Sequence, residues 1–133
     1  MKKDIETRAD LESVLRAFYE SVFGDDLIRH FFIEVIPLDL EHHIPVIADF
    51  WESVVLGTHG YRRNVMDIHQ HISRLSPVQK VHLDRWVQLF TATVSDFFEG
   101  PNAERMKQRA ASIATLMDIR INHPNPLKHG KTE

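Results

Sequence analysis

Apolar side chains at Leu11, Val14, Leu15, Phe18, Tyr19, Val22 and Phe23 recur every three or four residues, the period of an amphipathic helix. Asp10 suits its N-cap and Gly24 its stop. A second helix is expected from Asp39 to Leu56, with Gly57 beyond it and His43, Ile47, Phe50, Trp51 and Val54 inward. Pro45 lacks a backbone donor and shifts the expected start toward Ile44. Ser76, Pro77 and Gln79 form an S-x-x-Q box opening a third helix, with Leu83, Trp86, Val87, Phe90, Val94, Phe97 and Phe98 inward and Gly100-Pro101 as its end. Asn102 caps a last helix whose stripe is Met106, Ala110, Ile113, Ala114, Met117 and Ile121.

Between these long helices, Val65 to Leu75 is a short segment with Val65, Ile68, His69 and Ile72 at helical spacing. Residues 122–133, with Pro124 and Pro126, read as a frayed tail. No repeat or strand pattern is visible, so the expected class is all-α, in one domain spanning 1–133 with its core at about 4–121. An up-and-down bundle prefers short connections. The stretches 24–38 and 57–76 are long enough to be structural in their own right, which favours a stack of crossing helices.

Composition narrows the chemistry. Sixteen basic against nineteen acidic side chains leave a charge of -3, which excludes a polycationic nucleic-acid binder. Cysteine is absent, which removes disulfides, thiolate metal sites, cysteine nucleophiles and the covalent tether of c-type haem. The charged start, Met1 to Arg8, and the short apolar runs predict a soluble, cytoplasmic protein without a membrane span.

Four amphipathic residues occupy inward stripes where leucine would pack at less cost: Tyr19, His43, His69 and Trp86. A buried phenol, indole or imidazole without a partner costs about 1–3 kcal/mol, so four of them point to a shared polar feature or a cofactor. Taken singly, each is more often an ordinary core residue. The pairs His42-His43 and His69-x-His71 point to different sides of a helix and cannot chelate one zinc together. There is no H-E-x-x-H, no phosphate-binding glycine motif and no G-x-S-x-G. An aromatic pocket with one imidazole on a separate short segment suits haem, which needs an axial nitrogen, a flat apolar slot and a few donors opposite. His69 is the first candidate ligand, with His82 and His43 behind it.

Four segments carry a family resemblance: FYESV at 18–22, H-x6-F-W from His43 to Trp51, Y-x-x-N-x-M-x-x-H from Tyr61 to His69, and S-P-x-x-x-x-H-x-D-R-W-x-x-L-F from Ser76 to Phe90. In this order and spacing, over roughly residues 4–121, the chain resembles the third group of truncated haemoglobins. It departs at Arg63, where that group often has glycine after the tyrosine, and shares the group's lack of a Gly-Gly pair. The resemblance implies a shortened globin, two helices over two, around noncovalent haem b (iron protoporphyrin IX). It further implies His69 as the iron ligand and Tyr19, His43 and Trp86 as the distal pocket. Phe32, Ile47, Phe50, Trp51, Tyr61 and Trp86 would contact the macrocycle.

The function expected is binding of O2, NO, CO or a similar small ligand at a pentacoordinate iron. Three readings stay open: a haem enzyme acting on nitric oxide or peroxide with a separate reductase, a reversible oxygen carrier or sensor, and a non-haem helical interaction module whose aromatic stripe is simply core.

Overall fold

The computed structural model describes residues 2–32, 40–57 and 78–122. Those residues form four α-helices and no strand: α1 (Arg8–Phe23), α2 (Leu40–Trp51, continued by a π-helical turn, Glu52–Leu56), α3 (Lys80–Phe97) and α4 (Pro101–Asn122). α1 packs on α2 and on α3, α3 packs on α4, and the π turn reaches α4. The result is a sandwich of two helices over two. Among the described residues, no helix is long and apolar enough to cross a membrane. The predicted segment Val65 to Leu75 and the tail beyond Asn122 lie outside the described residues, as do Asp39, Tyr61 and His69.

α1 buries the expected stripe from Leu11 to Val22, with Phe23 half-buried. Its cap differs from expectation. Thr7 is the N-cap and Asp10 the third helical residue, each side chain bonding the other's backbone N–H in a reciprocal box. Asp10 also takes Lys3 at 2.6 Å. Burial opposes the charge on Asp10, but the Lys3 ammonium and the Glu6 and Thr7 amides outweigh it and hold the carboxyl below its usual range.

α2 starts at Leu40, so Pro45 sits inside it. Proline has no N–H to offer the carbonyl four residues back, and that position, Glu41, is exposed. Arg8 fastens α2 to α1, donating to Asp49 at 2.6 Å, Glu52 at 3.0 Å and the Pro45 carbonyl at 3.0 Å. Gly57 ends the π turn in the left-handed region at φ 78°, which a glycine adopts without strain.

The buried line of α2 is Ile44, Ala48, Trp51 and Val55. Of the predicted stripe, Trp51 is fully inside, whereas His43, Ile47, Phe50 and Val54 form a half-buried line beside it. An apolar face over 100° wide holds two such lines, and periodicity does not say which one meets the core.

α3 begins at Lys80, not at Pro77. Gln79 is extended and is the N-cap in a box with His82, while Ser76 and Pro77 of the expected box lie outside the described residues. The helix ends at Phe97, which is 50% exposed against expectation, because the chain turns extended at Phe98 and delivers that ring to the core instead. Thr93 is buried in its place, its hydroxyl satisfied by the Leu89 carbonyl at 2.8 Å. Gly100-Pro101 is less the end of α3 than the start of α4, with Pro101 as its first helical residue.

The cap of α4 comes from the far end of the chain. The Asp4 carboxylate accepts from the backbone N–H groups of Asn102 (3.0 Å) and Ala103 (2.9 Å), and Asn102 donates back to the Ile5 carbonyl. Burial opposes the Asp4 charge, but these amides and that of Ile5 hold its pKa below the ordinary value. Gly100, at φ 149°, is where the chains cross: a Cβ there would lie 2.5 Å from Asp4 Cγ.

Candidate functional site

The C-terminal half of α1 sets up the site. Phe18 and Tyr19 are adjacent in sequence and both buried, so one ring meets α3 while the other meets α2. The Phe18 ring stands edge-on to Trp86 at 6.0 Å and to Phe90 at 5.0 Å. Tyr19 stands edge-on to Phe32 at 5.9 Å and to the His43 ring at 5.1 Å. Trp86, Phe90 and Trp51 continue as a stack, with centroids 5.5 and 5.2 Å apart. Edge-to-face and offset contacts of this kind contribute about 0.5–1.5 kcal/mol each beyond buried area, which makes the cluster rigid.

A hydrogen bond of 2.7 Å joins Tyr19 Oη to His43 Nε2. Burial alone pushes the phenol pKa up, so Tyr19 keeps its proton. A second polar tie fixes the turn after α1. The buried Asp25 carboxylate accepts from Arg85 Nε at 2.7 Å and from the backbone N–H groups of Leu27 and Ile28 at 3.2 Å. This turn carries Phe31 and Phe32 toward α3, next to Trp86. Charge balance gave no hint of the pairing. The signal available was an Asp following the glycine stop, a common turn opener, together with the D-R-W triplet on α3.

Between that turn and α3 lies a cleft of about 470 Å³, measured out to its open mouth. Among the described residues it is lined by Ile28, Phe31, Phe32, Val78, Leu83 and Met117, with His82 and Trp86 as the groups bearing N–H. His82 Nδ1 accepts the Gln79 N–H at 2.9 Å, and burial followed by the nearby His30 lowers its pKa. Neutral imidazole has one lone pair, so this bond commits the His82 lone pair to the backbone. The Trp86 indole N–H has no partner among the described residues.

Of the residues singled out in the sequence, Tyr19, His43, Phe32 and Trp86 are thus joined through shared ring contacts. Ile47 and Phe50 lie one and two turns along α2 from His43, on the same half-buried line, and Trp51 is inside the core against Phe90. Phe18, Phe31, Phe90, Val78 and Met117 are equally part of the wall or its backing, and periodicity had marked those on long helices only as core. Among the described residues, no cluster of three or more His, Cys, Asp or Glu could hold a metal ion without a cofactor.

A two-over-two helical sandwich with an apolar cleft backed by a tyrosine, a histidine and a tryptophan is the truncated-globin fold. The crystal structure of group III truncated hemoglobin from Campylobacter jejuni matches it with a TM-score of 0.76 and 23% identity, over 91% of this chain and 95% of that one. No family model matches the chain. No curated protein matches it either.

Proposed function

We propose that this chain is a haem protein that binds dioxygen and other diatomic ligands, with its iron held by His69. The observation that carries the reading is the Tyr19–His43 hydrogen bond, set among aromatic rings behind an apolar cleft. The fold likeness supports it. The donor set supports it too. A haem iron needs a free imidazole lone pair; His82 spends its own on Gln79, and His43 Nε2 faces the Tyr19 hydroxyl. The resemblance implies His69 as that ligand, with its second ring nitrogen donating to a carbonyl or carboxylate.

When bound, the group supplies a ferrous iron with an open position for a small gas. The chain does the rest. Phe32, Ile47, Phe50, Trp51, Tyr61 and Trp86 would pack the macrocycle and exclude water. The Trp86 N–H and the Tyr19 O–H would donate to a polarised ligand. With the His43 proton on Nδ1, Nε2 accepts the Tyr19 hydroxyl proton; with it on Nε2, His43 donates to Tyr19 Oη and the tyrosine's own proton is released to turn toward a ligand. His43 is half-buried, so its ring is placed to swing between the pocket and solvent as a gate.

Two donors that retard dioxygen release suit chemistry better than transport. We therefore favour oxidation of nitric oxide to nitrate, or peroxide reduction, in the cytoplasm with a separate reductase, over reversible carriage. Absorption spectra of the purified, haem-supplemented protein, before and after dithionite and carbon monoxide, test the haem assignment; a colourless product would leave only a helical interaction module. Nitrate yield from nitric oxide under enzymatic re-reduction tests turnover, since a carrier fails to cycle.

A further inference from the structure

The Tyr19–His43 pair has a property that ligand binding alone does not use. A buried phenol resists oxidation, because loss of an electron leaves a cation in apolar surroundings unless the charge is compensated. Tyr19 is buried among Phe18, Phe32 and the His43 ring. Its hydroxyl nevertheless sits 2.7 Å from an imidazole nitrogen, a contact across which a proton can pass as the electron leaves. His43 is half-buried, so the positive charge it would then carry is partly solvated.

The neighbouring rings sharpen the contrast. Trp86 lines the cleft, and its ring touches that of Phe18, which in turn touches Tyr19 at 5.1 Å. Among the described residues the Trp86 indole N–H makes no hydrogen bond, whereas the Tyr19 hydroxyl has an imidazole nitrogen at 2.7 Å. The phenol, one ring further in from the cleft wall, is thus the ring whose proton has an acceptor in place.

We propose that Tyr19 and His43 form a proton-coupled one-electron donor for the reduction of a hydroperoxide in the cleft. The inference rests on the haem reading above. The hydroperoxide O–O bond breaks, and two electrons with two solvent protons convert ROOH to ROH and water. The haem, when bound, would supply one electron, and Tyr19 supplies the other, its O–H bond breaking as its proton passes to the unprotonated Nε2 of His43. A neutral phenoxyl radical remains. A one-electron reductant of the phenol class returns it to tyrosine, with the proton coming back from His43, and a second equivalent restores the iron–porphyrin.

The test is to mix the haem-loaded protein with tert-butyl hydroperoxide, freeze it and record electron paramagnetic resonance. The chain has two tyrosines, so ring-deuterated tyrosine reports on Tyr19 and Tyr61 alone, and Tyr19→Phe tells them apart. The expected radical signal narrows on deuteration and falls to background in Tyr19→Phe. His43→Gln keeps a side-chain acceptor for the phenol but takes no proton, so its signal per haem falls several-fold. A signal indifferent to deuteration, surviving in Tyr19→Phe, or undiminished per haem in His43→Gln overturns the proposal. Haem-loaded protein with no tyrosyl signal overturns it alone, whereas a chain that takes up no haem overturns the functional reading with it.

Discussion

The two halves of α1 are built on opposite terms. At its start nearly every polar group is met: Thr7 and Asp10 cap each other, Lys3 closes on Asp10, Arg8 spans three carboxylates, and Asp4 reaches across to cap α4. At its other end Phe18 and Tyr19 face rings, a cleft and one short hydrogen bond. The first end is fastened by many directed bonds to fixed partners. The second is held by aromatic packing that leaves donors available. Rigidity and binding capacity are thus placed some two to three turns apart on one helix.

The largest expected effect lies on the open side. His69→Gly should abolish haem retention or make it dependent on added imidazole, and iron coordination spectra unchanged from the parent protein would remove His69 from the proposal. Next comes the fastened corner. Asp4→Ala should destabilise the chain by about 1–2 kcal/mol through loss of the α4 cap, read as a lower urea midpoint with haem affinity little altered. Gly100→Ala should act at the same crossing by strain, since its Cβ would collide with Asp4 and its φ is 149°. The two changes should be strongly non-additive; simple additivity would mean that the crossing does not couple them.

A smaller effect is expected at Tyr19. With one hydrogen bond contributing about 0.5–1.5 kcal/mol, Tyr19→Phe should speed dioxygen release by about 2- to 10-fold, and identical stopped-flow traces would take the hydroxyl out of the ligand network. The smallest effect is in pH dependence. His82 has a lowered pKa in the fold, so the unfolded chain binds its proton first. Stability from this group is full above the ordinary histidine value of about 6.5 and is lost as pH falls from there through the lowered folded value. His82→Gln should flatten the melting-temperature profile in that window. Asp4 and Asp10 act lower down: their depressed values mean stability present above about pH 4 and lost below it, a limb that Asp4→Ala should weaken.

The long helices were legible because each turn repeats a choice between apolar and polar at neighbouring positions, and that choice is printed in the order of residues. The aromatic surplus near Tyr19, His43 and Trp86 was visible for the same reason. Errors clustered at helix ends. Asp10 and Thr7, or Ser76 and Gln79, look equally good as caps when only local spacing is considered, and the cap of α4 could not be found near Asn102 because it is supplied by Asp4.

By itself, then, the sequence determined that this chain is helical, where its helices run, and that polar rings share their inward faces. Only the tertiary structure decided that Ile44 and Ala48 meet the core while His43 turns to Tyr19, that Asp25 holds Arg85, and that an apolar cleft opens between the turn after α1 and α3. Helical periodicity is a property of residues three and four apart. Which two lines of a broad apolar face touch, and which carboxylate meets which amide, depends on how separate helices cross, and that is settled by packing among residues 24 to 99 positions apart.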